Sequence, residues 1–552
     1  LDLSQVYGST DCVAKDLRTL KDGKMKMYSA DGYNLPPQSA NSSNCQSQKL
    51  NPPYLCFSAG DARNSLHPGL IPMHTIYLRQ HNRWAEQMKN LRPLWSDNQI
   101  YQETRRLMIA MYQSHVYSEY LPKIIGDQKM NEFGLRPSGR KNNYDSRVNP
   151  SVSVEFCSGA FRFGHSQVRK DIPRMTNNNV SIGSYIDLGE HMFYTDPLYD
   201  KTATVSSMTQ GMVNCPAMSA DRQFSFPVRH EIFSTREVKA SGVDLPAFNV
   251  QRAREKGIQP YNEIRPRIPT LGRVANFDAL GISMDKSNVD LLKKTYQSVD
   301  DIDLYVGLLL ERINDPTALL GPTGTHLIAD QFNAFKRGDR FYFENTEHAG
   351  ALTQAEYEAI RNYPLAQLIC ENTSGMEMVQ TDIFQFNSMK KQCSSFKAFP
   401  LQQILSPRAL SEPVDPRETS ENSRDLVATN RGRRRVQSAF STYLNAQDNQ
   451  VRFELSSTAS TWEKWIIEDV NGQAILRAPT TGGSAYLSAS PDGILSLQNN
   501  KGNSEKWNPL KNNDGSWSFQ SAHGQWLSAL QNGSVRTVTW NEVGEKFRLE
   551  QW

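Results

Sequence analysis

The chain has 552 residues, more than one ordinary hydrophobic core organises, so two or more folding units are expected. With 38% apolar and 22% charged residues the composition is that of a globular protein, and a net charge of only +3 excludes a nucleic-acid binder that works through overall charge. The longest aliphatic run, around Leu304–Leu310, falls far short of a bilayer span, so no transmembrane helix is expected.

The first residues read LDLSQVYGST, with no initiating Met, basic leader or apolar signal core. Two segments then carry a helical period. MHTIYLRQHNRWAEQMKNL (73–91) sets Met73, Tyr77, Trp84, Met88 and Leu91 on one face with charges opposite, and YQETRRLMIAMYQSHVYSEYLPKIIG (101–126) does the same with Leu107, Met111 and Tyr120, stopping near Pro122 and Gly126. Helical stretches recur to about residue 400 between Pro- and Asn-rich loops, so residues 1–400 are expected to form a mostly α-helical domain.

Residues 411–435 contain no aromatic residue and end in the basic cluster Arg433–Arg435, so 401–435 reads as a linker. The cluster suits a processing site, a surface for acidic partners or a solvated charge run. Residues 436–552 carry a repeat of about forty residues: Tyr443-Leu444-Asn445-Ala446, Tyr486-Leu487-Ser488-Ala489 and Trp526-Leu527-Ser528-Ala529. Each copy is followed by an echo: Glu463-Lys464-Trp465, Glu505-Lys506-Trp507 and Glu545-Lys546-Phe547. Three copies of short alternating strands with Gly/Asn/Asp turns predict a closed all-β unit, and this portion resembles the fascin-like β-trefoils. The repeated aromatics are expected in its core.

Seven cysteines include no CxxC pair, which argues against a zinc ribbon or a thioredoxin-type site. Cys45 and Cys56, and Cys370 and Cys393, lie close enough to staple local loops; an odd count leaves one thiol free or paired to another chain. Sequons begin at Asn41, Asn179, Asn372 and Asn532. With stapled loops they point to a secreted protein or a secretory granule.

There is no P-loop, GxGxxG or GxSxG elbow, and His230-Glu231 lacks the second histidine of a zinc protease. What remains is SGAFRFGHSQVR. A lone histidine is more often a satisfied core residue than a metal ligand, but His165 follows Phe161-Arg162-Phe163-Gly164. Apolar rings suit one wall of a flat cofactor pocket, and an arginine one turn away can neutralise carboxylates. Those are the needs of a haem with an imidazole ligand, whose other ring N–H also needs an acceptor.

Eight segments in one order carry a resemblance: LDLSQVYGS, CFSAGDAR, MHTIYLRQHNR, FRFGHS, DLPAFNVQRAREKGIQPYN, DLYVGLLLE, GDRFYFEN and IFQFNS. Over about residues 1–400 the chain resembles the animal haem peroxidase superfamily, which includes myeloperoxidase, peroxinectin and peroxidasin. The resemblance implies haem b, with His165 as proximal iron ligand and Asn249 accepting that histidine's N–H. It places Arg63 at the distal arginine that polarises bound peroxide, where a fixed cation stabilises the leaving hydroxide, and Arg162 and Arg252 near the haem propionates. It implies the disulfides Cys45–Cys56 and Cys370–Cys393. It also explains the opening: the family's calcium loop has the form T-x-F-x-D-x-S-x-V-Y-G, so Asp2 and Ser4 align with two oxygen ligands of Ca²⁺. The remaining ligands and the distal histidine are then expected upstream, on a separate light-chain-like segment. Leu66 and His67 stand where mammalian members carry residues bonded covalently to the haem; Leu66 cannot form the ester, which implies a less cross-linked haem.

These residues together imply a secreted, calcium-binding haem peroxidase. It would use hydrogen peroxide to oxidise small phenolic, halide or thiocyanate donors, with the trefoil docking on a glycan, matrix or protein ligand. The alternatives are a scaffold repurposed as a dioxygenase-like oxidase and a non-catalytic adhesive protein.

Overall fold

The computed structural model describes the chain apart from residues 31–32, 40–44, 47–54, 94, 177–180, 183–184, 200–204, 236–237, 239–240, 349, 406–425, 428–432, 448–449, 455–460, 471–472, 479–484, 513–514, 531, 539–543 and 552. It divides into two compact units, Leu1–Pro400 and Leu401–Trp552.

The first unit is built around helices. α1 (Leu70–Leu91) buries Ile71, Leu78, Trp84 and Met88 and leaves Arg83 and Glu86 outward. α2 (Asp97–His115) starts at a capping box in which Ser96 Oγ accepts from the Gln99 N–H at 3.2 Å and the Gln99 side chain accepts from the Ser96 N–H at 2.9 Å. The two pack together through their apolar faces.

The second periodic segment is not one helix. After His115 it runs through a π-helical turn, Val116–Tyr120, into α3 (Leu121–Glu132). Pro122 has no N–H to donate at that junction, so the ladder re-forms in a wider register. Gly126 breaks α3 at φ 77°, and a Cβ there would lie 2.3 Å from the Asp315 carboxylate, so only glycine fits. Among the described residues no helix is long and apolar enough to cross a membrane.

Among the described residues the second unit is mainly β, with the short helix Leu401–Leu405, a helical pair at 426–427 and the 3₁₀ turn Thr461–Glu463. Its strands are β1 (Arg433–Ser438), β2 (Tyr443–Asn445), β3 (Arg452–Glu454), β4 (Trp465–Val470), β5 (Gln473–Ala478), β6 (Ala485–Ala489), β7 (Leu495–Gln498), β8 (Trp507–Lys511), β9 (Trp517–Ser521), β10 (Trp526–Ala529), β11 (Val535–Val538) and β12 (Phe547–Gln551). The antiparallel pairings β1–β4, β4–β5, β5–β8, β8–β9, β9–β12 and β12–β1 close a circuit. The remaining strands form the hairpins β2–β3, β6–β7 and β10–β11. Closure leaves the circuit without an open edge.

The repeat is legible in this core. Leu444, Leu487 and Leu527 are all fully buried, as are Trp465, Trp507 and Phe547. Trp465 Nε1 donates to the Leu444 carbonyl at 2.8 Å and Trp507 Nε1 to the Leu487 carbonyl at 3.0 Å. The third copy has Phe547, which carries no donor. Arg433–Arg435 corrects the expectation of a linker reaching to 435, because these residues begin β1. Arg434 is buried, and Arg435 pairs with the buried Glu463 at 2.8 Å and lies 3.5 Å over the Tyr443 ring. The cluster is therefore part of a strand, with Arg434 buried and Arg435 paired, rather than a solvated linker end.

Candidate functional site

The segment around His165 is shaped by its capping and its glycines. Ser153 Oγ accepts from the Phe156 N–H at 3.3 Å and starts the short helix Val154–Ser158. Gly159 then turns the chain where a Cβ would meet the Glu155 carbonyl at 2.5 Å, and a 3₁₀ turn, Ala160–His165, follows. Phe163 turns into the core. Phe161 stacks on Phe156, with ring centroids 4.5 Å apart, yet stays 36% exposed. Phe161 also packs against Phe163 and Phe332, so an aromatic cluster stands next to His165 in the chain.

The partner of His165 comes from 84 residues further along the chain. α4 (Leu245–Glu255) begins where Asp244 accepts from the Ala247 N–H at 2.9 Å, and its Asn249 is fully buried. Asn249 Nδ2 lies 3.0 Å from His165 Nδ1, while Asn249 Oδ1 accepts from Arg162 Nη1 at 2.5 Å. Arg162 is held in turn by its Nε donating to the Cys157 carbonyl at 2.9 Å. Tyr305, on α5 (Leu304–Leu310), donates its hydroxyl to the Arg162 carbonyl at 3.3 Å.

This arrangement corrects one expectation. Asn249 was expected to accept the histidine N–H, but here its amide nitrogen faces the ring. The reason is chemical: a guanidinium has only donors, so the amide oxygen is the atom of Asn249 that Arg162 can engage. Burial, and then the Arg162 charge, push the His165 pKa down to about 4. The ring is therefore neutral at physiological pH.

The fit to a haem rests on these groups. A neutral imidazole held at Nδ1, with no described partner at Nε2, suits iron ligation. A Cβ at Gly164 would meet nothing within 4 Å outside its chain neighbours, so the backbone there is open on that side.

The other expected residues are spread out. Arg63 is 74% exposed on its side chain and forms an ion pair with Asp61 at 2.6 Å, reinforced by Nε at 3.0 Å. No described contact joins it to His165, Asn249 or Arg162. Arg252 pairs with Glu255 at 2.8 Å and also makes no described contact with them. Asp2 Oδ1 accepts from the Ser4 N–H at 3.0 Å, and among the described residues no group of three or more His, Cys, Asp or Glu side chains is placed to hold a metal ion. His67 Nδ1 accepts from the Gly69 N–H at 3.0 Å, and burial holds its pKa near 4.

Cys45 and Cys56 are bonded, as are Cys370 and Cys393, with Cα–Cα distances of 5.6 and 5.5 Å. Cys12, Cys157 and Cys215 are free thiols. Of the sequons, Asn41 and Asn179 lie outside the described residues, and Asn532 is exposed in a turn. Asn372 is only 4% exposed, and its Nδ2 donates to Gln80 Oε1 at 2.7 Å and to the Leu368 carbonyl at 2.8 Å, so a glycan on that atom is incompatible with this packing. Sequence reasoning missed the Arg162–Asn249 bond and the role of Tyr305. Nothing in local spacing signals either one, because both depend on how distant helices meet.

Comparison with known proteins gives the same direction. The family described as Animal haem peroxidase matches residues 1–384. Heme peroxidase 2 of Caenorhabditis elegans is 44% identical over 412 residues, covering 73% of this chain and 56% of that protein. Chorion peroxidase of Drosophila melanogaster is 32% identical over 392 residues, covering 70% and 47%. The chain thus spans about half the length of these curated relatives. Among solved structures, Peroxidase A from Dictyostelium discoideum superposes with a TM-score of 0.58 at 30% identity, covering 69% of this chain and 70% of that one. A fatty acid alpha-dioxygenase of Arabidopsis thaliana shares the fold at 17% identity, with a TM-score of 0.56 over 73% of this chain and 65% of that one. With a family match over residues 1–384 that contains the His165–Asn249 pair, the chain belongs to the animal haem peroxidase family.

Proposed function

We propose that the chain is the haem-binding body of a secreted peroxidase that uses hydrogen peroxide to oxidise small phenolic, halide or thiocyanate donors. The observation that carries this reading is the 3.0 Å contact between Asn249 and His165 Nδ1, made across 84 residues and inside the matched region. When bound, haem supplies the iron at which peroxide is reduced and from which donors are oxidised. His165 is assigned as its proximal ligand through Nε2.

That role fixes what the neighbouring side chains must do. A metal-bound Nε2 carries no proton, so the ring proton sits on Nδ1 and needs an acceptor. With haem bound, Asn249 would accept that proton through Oδ1, and Arg162 and Arg252 would be the cations available to hold the haem propionates. Arg63 is assigned to the peroxide side, where a fixed guanidinium stabilises negative charge developing on the leaving oxygen. Its fork on Asp61 keeps it oriented. Asp2 and Ser4 are assigned as two oxygen ligands of a calcium ion.

The closed circuit and its hairpins support a β-trefoil, which would dock the enzyme on a glycan, matrix or protein ligand. Relatives named for the chorion, together with the disulfides, support secretion. The test is spectroscopic. Haem added to the protein should give a Soret band and peroxide-dependent oxidation of guaiacol, and His165→Ala should lose both. A His165→Ala protein that keeps the band and the turnover would sink the assignment.

A further inference from the structure

Away from His165, α1 carries Arg79 and Arg83 one helical turn apart, on a cleft of about 400 Å³ whose facing wall is Asn372, Thr373 and Ser374. Arg79 donates through Nε to the Asn34 carbonyl at 2.9 Å and through Nη1 to the Asn372 carbonyl at 2.8 Å. Arg83 donates to the Glu371 carbonyl. All these acceptors are neutral, and among the described residues neither guanidinium has a carboxylate partner. The nearest acids are engaged elsewhere. The Glu371 carboxylate accepts from Tyr363 Oη and Gln367 Nε2, both at 2.8 Å, and Glu86 lies 3.5 Å from Lys24 Nζ. Burial and the adjacent Arg83 charge lower the Arg79 pKa to about 10, which shows two cations held close without compensation.

The facing wall has the opposite deficit. Thr373 is 5% exposed and Asn372 is 4% exposed, yet among the described residues Thr373 Oγ1 and Asn372 Oδ1 have no hydrogen-bond partner. Buried polar atoms left unpaired are costly, so a bound group that reached these two would be stabilised there. A second cavity of about 300 Å³ shares Arg83 and Glu371 with the first and runs along Phe396 and Phe399. Phe399 is braced by stacking on Trp84, with centroids 4.4 Å apart, and the Cys370–Cys393 disulfide lies in the same wall.

We propose that this double cleft binds a sugar ring bearing a sulfate or phosphate ester. The oxyanion sits between Arg79 and Arg83, which present planar forks suited to it. Ring hydroxyls donate to Asn372 Oδ1 and pair with Thr373 Oγ1, and the apolar face of the ring lies on Phe396 and Phe399. A bare inorganic oxyanion leaves the aromatic wall uncovered, and an acyl chain leaves the Asn372 acceptor unpaired; a charged, hydroxylated ring meets all three needs. The Asn372-Thr373-Ser374 sequon is on this reading part of a ligand wall.

Isothermal titration of the full chain tests this with four probes: a sulfated disaccharide, its desulfated form, glucose 6-phosphate and inorganic sulfate. Binding of the sulfated disaccharide identifies a sulfate-ester ligand and binding of glucose 6-phosphate a phosphate ester, and either supports the site. Arg83→Gln should weaken that binding about tenfold or more, because it removes a charged hydrogen bond, and Thr373→Val by about threefold. Both variants should keep the natural melting temperature to within a few degrees and unchanged peroxide-dependent turnover. His165→Ala should bind the sugar normally, which separates this site from the haem assignment. No binding by either ester, equal binding of the desulfated sugar or of inorganic sulfate, or an Arg83→Gln protein that binds as before would overturn the proposal.

Discussion

The proton on the His165 ring is decided by a residue that never touches it. Arg162 holds Asn249 Oδ1 at 2.5 Å, so Asn249 presents Nδ2 to the ring and Nδ1 must accept. With the amide turned this way, the ring proton of the haem-free protein is expected on Nε2. Arg162→Gln removes the competing donor and should let the amide turn over, moving the proton to Nδ1. Histidine ¹⁵N shifts of the haem-free protein read the tautomer directly, and an unchanged Nε2–H pattern in the variant would refute this coupling. His115 shows a simpler effect. Its Nε2 donates to the Tyr363 carbonyl at 2.8 Å, its buried Nδ1 has no partner among the described residues, and burial lowers its pKa from 6.5 to about 4. The unfolded chain binds this proton at higher pH than the folded one, so stability is full above about pH 6.5 and falls as the pH drops towards 4. The loss from this one group is on the order of 3 kcal/mol. His115→Gln should flatten the decline in urea midpoint between pH 7 and pH 4; a decline as steep as in the natural protein would show that other groups dominate.

At the scale of elements, the repeat offers a controlled comparison. Trp465 and Trp507 each close a bond to a leucine carbonyl within their own copy, whereas Phe547 makes the same packing without one. Trp465→Phe keeps most of the apolar body and strands the buried Leu444 carbonyl. It should cost about 1–3 kcal/mol in thermal or denaturant unfolding of the β unit. A change within error would mean that the indole contributes packing alone. The break between α2 and α3 makes the complementary point. Pro122 and Gly126 are visible in the sequence as stop signals, yet the chain enters α3 through the π turn Val116–Tyr120 ahead of Pro122 and stays helical on both sides of Gly126.

At the scale of the molecule, each unit holds its own core: Trp465, Trp507 and Phe547 pack with the leucines of the second unit, and the helices of the first pack among themselves. Calorimetry should therefore resolve two transitions. Trp465→Phe should lower only the one that belongs to the β unit, and a single transition lowered as a whole by that substitution would contradict independent cores. The comparisons reach the same division from another side, since the family match stops at residue 384 and leaves the β unit outside it.

The sequence by itself determined the forty-residue repeat and the change of composition around residue 400, because hydrophobic period and repeat length are local signals, and the resemblance carried by motif order named His165 and Asn249 as a pair to look for. It also named the disulfide partners through the resemblance. Only the tertiary structure decided which way Asn249 points, that Arg433–Arg435 is a strand, that Asn372 is buried, and that Arg79 and Arg83 share a cleft with Thr373. Each of these depends on what a side chain meets from a part of the chain tens or hundreds of residues away. Donor–acceptor competition and burial are properties of that meeting, and no local pattern of residues records them.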